Sequence, residues 1–277
     1  MAKGFILCAD DFALTDGVSR AILDLLGRGK LTATGAMTNR PHWRRLAPEL
    51  RAFAGRADVG LHLNLTCAAP LSRMPLLAPG GTLPGLKDVA RAAILSPAVR
   101  QEIATEIARQ LDAFEEAFDR PPDFVDGHQH VHVLPGVRRA LLDGLARRYP
   151  AGSLYVRDPA DSPAAIRARG VAVGKALVIA GLATGFRGAA LKRGLRVNHG
   201  FSGVAPFDPQ RDFAEDLTRF VTEPGPCHLV MCHPGFVDDE LASLDPVIAT
   251  RPVEHAAIAG FVPPSGLPLR RFAALQG

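Results

Sequence analysis

Residues Gly4-Phe5-Ile6-Leu7-Cys8-Ala9 form an apolar run that breaks off at Asp10-Asp11-Phe12-Ala13. The run has the length of a buried strand. The turn after it leads into a helical pattern in which Val18, Ile22, Leu25 and Leu26 share one face, with Thr15 or Asp16 as N-cap. This unit, a strand closed by polar residues and followed by an amphipathic helix, recurs along the chain. Thr32–Thr38 reads as a second strand, Asn39-Arg40-Pro41 opens a short helix with Trp43, Leu46 and Leu50, and Val59–Leu65 is a third strand. Ser96 is a capping side chain followed by a proline suited to the first helical turn. From there Val99, Ile103, Ile107, Leu111, Phe114 and Phe118 form the clearest helical stripe, which Pro121-Pro122 stops. Phe124–Val133 reads as a strand carrying polar residues, then a helix with Val137, Leu141 and Leu145, then a strand at Leu154–Arg157. Ser162 to Arg193 is helical in composition, Phe213, Leu217 and Phe220 mark another helix, His228–Cys232 is a late strand, and the tail through Leu267 and Leu269 suggests one more.

Alternating strands and helices imply parallel strands with right-handed crossovers, hence an α/β chain. No break in composition divides residues 1–277, so the sequence reads as a single domain with an irregular (β/α) barrel-like fold. A nucleotide-binding open sheet fits less well, because no Gly-rich phosphate loop follows any strand. The Pro- and Gly-rich stretch at about 66–98, irregular from Thr66 to Ser96, is long enough to be a binding loop or lid. Of the 277 residues 47% are hydrophobic and 22% charged, which supports a large core and excludes disorder and coiled coil. The net charge of +4 is modest and its basic residues are scattered, so no nucleic-acid surface is expected. Four cysteines (Cys8, Cys67, Cys227, Cys232) without a C-x-x-C pair imply no disulfide framework. With no signal-peptide pattern, they point to the cytoplasm. The apolar stretch Ala176 to Ala183, flanked by Lys175 and Arg187, is too short to span a bilayer, so stable membrane insertion is not expected.

Four strands end in ionisable residues: Asp10-Asp11, His62 in Gly60-Leu61-His62-Leu63-Asn64-Leu65, the cluster Asp126-Gly127-His128-Gln129-His130-Val131-His132, and Cys232-His233-Pro234-Gly235. In a β/α barrel the C-terminal strand ends converge on the active site, and unpaired buried charge is costly, so the recurrence points to a site. Each residue alone also has a plain structural reading. Asp10-Asp11 suits a helix N-terminus, His62 a hydrogen-bonded core position, and His233 a turn before Pro-Gly. If the fourth strand persisted, Asp126, His128, His130 and His132 would share one face, as in an imidazole-rich metal site. Cys232 beside His233 invites a Cys–His nucleophile, but neighbouring strand residues face opposite ways.

Together, Ala9-Asp10-Asp11-Phe12, Gly60-Leu61-His62-Leu63-Asn64-Leu65-Thr66, Asp126 to His132 and His233-Pro234-Gly235 resemble the YdjC-like carbohydrate deacetylases, a family that includes chitooligosaccharide deacetylase and a hopanoid-biosynthesis-associated branch. Weaker echoes are Leu31-Thr32-Ala33-Thr34, Arg157, Phe201-Ser202-Gly203, and Arg251 with Glu254. The resemblance implies a barrel-like, often dimeric enzyme that removes the acetyl group from an N-acetylated sugar and releases acetate. It also implies one divalent metal ion, zinc or magnesium, held by Asp11, His62 and His128, with Asp10 as general base and His233 as general acid. Asp126, His130, His132 and Arg157 are left for substrate contact or for holding the ligands in place. One departure is visible, since the usual glycine after Asp-Asp-Phe is Ala13 here. Rival readings are a phosphoester or cyclic-amide hydrolase on the same barrel, for which the strand-end carboxylates are few, and a non-catalytic sugar-binding homologue.

Overall fold

A computed structural model describes residues 4–276. In chain order the elements are β1 (Phe5–Phe12), α1 (Asp16–Gly27), β2 (Ala33–Ala36), α2 (Trp43–Arg51), β3 (Asp58–Leu63), α3 (Leu86–Leu95), α4 (Pro97–Phe118), β4 (Phe124–Gly127), a 3-10 segment (His128–Val133), α5 (Val137–Arg148) and β5 (Tyr155–Val156). They continue with α6 (Pro163–Arg169), α7 (Val173–Leu182), α8 (Phe186–Leu191), β6 (Arg196–Val197), β7 (Phe201–Ser202), α9 (Phe213–Phe220), β8 (His228–Cys232) and α10 (Thr250–Gly260). The eight strands form one parallel sheet in the order β6-β5-β4-β3-β2-β1-β8-β7.

The two edges of that sheet, β6 and β7, are separated in sequence only by residues 198–200. So short a connection holds Val197 and Phe201 within roughly 15 Å of each other. The sheet must therefore curl round on itself, and this gives the barrel-like shape read from the sequence. Asn198 ties the seam: its Oδ1 accepts from the Asp158 N–H at 2.7 Å, and its Nδ2 donates to the carbonyls of Asp158 and Gly200, both at 3.0 Å. The Gly200 carbonyl also accepts from Leu229 N–H on β8, so one buried amide joins the β5 side of the sheet to the β8 side.

The helices follow the expected physical signals. Thr15 caps α1 by accepting from Val18 N–H, and Val18, Ile22, Leu25 and Leu26 are buried. Ser96 caps α4 by accepting from Val99 N–H, and the stripe from Val99 to Phe118 is buried. Trp43 of α2 stacks on Phe114 of α4 at 5.3 Å, which fixes these two helices together outside the sheet.

Several expectations need correction. The stretch from Thr66 to Ser96 is not irregular throughout: α3 occupies its last part and buries Val89 and Ala93. The strand expected over Phe124–Val133 stops at Gly127. The first strand runs on through Asp10 and Asp11 to Phe12, and the tail contributes a single bridge, Leu269 to Phe5, rather than a strand. Val173–Leu191 is long and apolar enough to cross a membrane by composition, but the chain breaks it into α7 and α8 at Gly185, whose φ is +78°.

Candidate active site

A cavity of about 550 Å³ lies at the C-terminal ends of the strands, lined by Asp10, Asp11, His62, His128, His130 and His233 among others. The end of β1 shows how two adjacent acidic residues reach one cavity. The pairing of β1 with β2 shifts register between Ala9 and Phe12, and Asp11 sits in the left-handed region with φ +70°. The bulge turns Asp11 out of the strand alternation, so it joins Asp10 on the cavity side. Ala13 also has φ +70°, a conformation that favours glycine, at the position where the resemblance expects one.

Asp11 Oδ1 lies 3.3 Å from His62 Nε2 and 3.0 Å from His128 Nδ1. Ligands about 2.0–2.1 Å from a tetrahedral ion sit about 3.3 Å apart, so this triangle has the size of a three-ligand site. The other nitrogen of His62, Nδ1, is 2.7 Å from Asp126 Oδ1. That contact fixes the ring with Nε2 toward Asp11, as carboxylates behind metal-binding histidines do.

The electrostatics point the same way. Asp10, Asp11, Asp126 and Asp245 are buried, and among the described residues two guanidiniums, Arg157 and Arg251, lie against them. The carboxylates outnumber the guanidiniums in contact with them, and this excess of buried negative charge suits a cation. Burial opposes the charging of His62, but Asp126 and Asp10, with the hydrogen bonds to Asp11 and Asp126, outweigh it and raise its pKa to about 10. Despite burial, Arg251 and His128 hold the Asp11 carboxyl well below its ordinary range. Without an ion, the site therefore draws a proton onto His62 instead.

Arg157 is fully buried and forks onto the base candidate: Nη1 donates to Asp10 Oδ2 at 2.7 Å and Nη2 to Asp10 Oδ1 at 2.6 Å. Nη2 also lies 2.5 Å from Asp126 Oδ2. Cys8, Asp10 and Asp126 form a second cluster of metal-ligand types, but this guanidinium, 3.1 Å from Cys8 Sγ, stands among them. The protein's own cation fills that cluster.

His233 lies at the end of β8, where its N–H donates to Glu254 Oε2 at 2.5 Å and its ring meets the Phe207 ring nearly edge-on at 5.4 Å. Burial lowers its pKa to about 4 although Asp11 and Asp10 favour the charged ring. The Cys–His reading fails on geometry: the Cys232 thiol points to the Cys8 carbonyl at 3.4 Å, and burial raises its pKa well above the ordinary value.

The four residues Asp126, His128, His130 and His132 do not share one strand face. Beyond Gly127 the chain turns through two left-handed residues, Gln129 at φ +52° and His130 at φ +57°. His128 reaches Asp11 and His130 lines the cavity. His132 turns behind it, donating from Nε2 to the Arg157 carbonyl at 2.8 Å and packing on Phe186, so it supports Arg157. The sequence marks Arg251 and Glu254 only as a weak family echo without a role, and Asp245 and Phe207 not at all. The i, i+3 spacing of Arg251 and Glu254 on a helix was the available signal. The Ser202–His228 pair is structural: Ser202 Oγ lies 2.9 Å from His228 Nε2 but donates to the Phe220 carbonyl, while Gly225 N–H donates to His228 Nδ1, so this pair offers no free nucleophile.

The chain is 38% identical over 139 residues to proteins named chitooligosaccharide deacetylase from Yersinia pestis and Yersinia pseudotuberculosis, an alignment covering 50% of this chain and 53% of those proteins. It thus spans about half the length of the curated relatives it matches. Its fold is similar to that of an Enterococcus faecalis V583 protein described as a candidate cellobiose-phosphate cleavage protein (TM-score 0.73, 22% identity, 99% of each chain). It is also similar to a family 4 acetyl xylan esterase from Clostridium thermocellum, solved with a cobalt ion (TM-score 0.51, 11% identity, 99% of this chain and 90% of that one). The family profile described as YdjC-like protein matches residues 4–260, more than nine-tenths of the sequence, and the chain belongs to that family.

Proposed function

We propose that this protein hydrolyses the N-acetyl group of an amino sugar or short oligosaccharide, releasing acetate, in a reaction that depends on one divalent metal ion. The observation that carries the reading is the convergence of Asp11 Oδ1, His62 Nε2 and His128 Nδ1 in a cavity that also holds Asp10 and His233. The names of the curated relatives support the substrate class. Neither Trp43, Tyr149 nor Tyr155 lines the cavity, which suits a short sugar better than a long glycan held by aromatic stacking.

Asp11, His62 and His128 would hold the ion, whose chemistry there is polarisation of the amide carbonyl and acidification of water. Asp10, both oxygens fixed by Arg157, is placed to take a proton from the water that attacks the carbonyl. Expulsion of the amine then needs a proton at the departing nitrogen, and His233 delivers it. Burial keeps the resting imidazole neutral, so the proton it gives the nitrogen is replaced by the one Asp10 has taken from water, which returns both groups to their starting states. A two-metal phosphoesterase is disfavoured because Arg157 stands where a second ion would need carboxylates.

The test is acetate release from short N-acetylglucosamine oligomers, with chelator and with re-added zinc or magnesium. Release that chelator abolishes and metal restores is expected. In Asp10→Asn, turnover should vanish while metal content stays near that of the unaltered protein. Chelator-insensitive release, or full turnover by Asp10→Asn, would remove the mechanism.

A further inference from the structure

We infer that Arg251 is a positioning residue that reserves one oxygen of Asp11, so that Asp11 can offer a divalent ion only one atom. The inference rests on the metal reading above and concerns how many positions remain open on the ion. Arg251 lies in the first turn of α10 and is fully buried. Its Nη2 donates to Asp11 Oδ2 at 2.7 Å, while Asp11 Oδ1 is the oxygen that faces His62 and His128. The carboxylate is thus divided, one oxygen for the histidine pair and one for the guanidinium. Arg251 does not depend on Asp11 for its place, because Nη2 also donates to Asp245 Oδ2 at 2.6 Å and Nε to the Val247 carbonyl at 2.7 Å.

The division has a chemical consequence. A carboxylate with both oxygens free can chelate, as it does in many oxygen-rich sites, and chelation uses a position that a hydrolytic site must keep open for water or substrate. With two histidines and one oxygen committed, those positions stay open. The same turn of α10 also fixes the other side of the cavity: the Arg251 carbonyl accepts from Gly235 N–H at 3.1 Å, and Glu254 accepts from His233 N–H. The metal ligand and the candidate acid are therefore set from one rigid element.

The experiment loads cobalt(II) into the metal-depleted 277-residue chain and records its visible absorption and its affinity, with and without added acetate as an exogenous ligand. Three variants are compared with the unaltered chain: Arg251→Met, the double variant Arg251→Met/Asp245→Asn, which avoids stranding a buried carboxylate, and Arg251→Lys, which keeps a donor toward Asp11. The expected result is that both methionine variants bind cobalt at least as tightly as the unaltered protein. Their band should be altered and insensitive to acetate, and turnover should fall by about 10–100-fold. Arg251→Lys should keep the native band and its acetate response. A native band and acetate response in folded methionine variants would overturn the assignment, as would cobalt binding weakened in both. If the unaltered protein binds no cobalt, the metal reading itself falls and this assignment with it.

Discussion

Asp126 shows how much one side chain does in this site. It faces His62, a candidate metal ligand, with one oxygen and the Arg157 guanidinium with the other, and Arg157 in turn grips Asp10. Burial would raise its pKa, but Arg157 and His62 lower it to about 2, so it remains a carboxylate. Asp126→Asn places an amide N–H against either the imidazole or the guanidinium. Its affinity for a divalent ion, measured by calorimetric titration, is expected to fall by about 10–100-fold; unchanged affinity would show that Asp126 does not orient His62. The residue types Asp, His and Arg were legible in the sequence, but their pairing was not. Which carboxylate meets which cation depends on contacts across 147 positions for Asp10 and Arg157 and 240 for Asp11 and Arg251, beyond any local pattern.

At the scale of elements, the sequence was most informative where one physical signal dominated. The capped, amphipathic α4 and the apolar strands β1, β3 and β8 were readable because their period and termini agree. The segment after β4 was not, because alternation of polar residues holds only while the strand persists. Gln129 and His130 leave it through left-handed conformations that sequence does not announce. α3 was hidden by the prolines and glycines before it, and β6 and β7 are two residues each, too short to have a period. Those two short strands rely on Asn198 instead of a mutual ladder. Asn198→Ala strands the buried N–H and carbonyl of Asp158 and is expected to cost about 3 kcal/mol, read from urea unfolding. A loss below about 0.5 kcal/mol would mean that the seam is held by other contacts.

For the whole molecule, buried titratable groups set the pH dependence of the metal-free protein. Burial keeps four histidines neutral, with pKa about 4 for His132 and His233, about 3 for His228, and well below the ordinary value for His130. Burial also raises Glu254 to about 7 and Asp158 to about 6. Between about pH 4.5 and 6, unfolding lets the four histidines bind a proton each and the two carboxylates release one each, a net uptake of about two. Folded stability should therefore climb with pH across that window, by up to about 3 kcal/mol per unit. The raised pKa of His62, about 10, acts oppositely: its contribution is complete below its ordinary value of 6.5 and is lost as pH rises toward 10. Melting temperature in chelator should peak between about pH 6 and 7, and a midpoint that rises on acidification from 6 to 4.5 would contradict this balance.

The curl of the sheet also sorts the cavity wall by kind. Asp11, His62 and His128 come from β1, β3 and the end of β4, in the middle of the strand order, whereas Lys175 and Val178 of α7 and Phe207 after β7 flank the seam. The candidate metal ligands thus sit on one arc and the apolar wall on another, with His233 at the end of β8 meeting that wall through Phe207. The two are anchored by different strands, so the apolar wall can change like a faceplate while the candidate ligand triangle stays bolted to the frame, with His233 the point where the two meet.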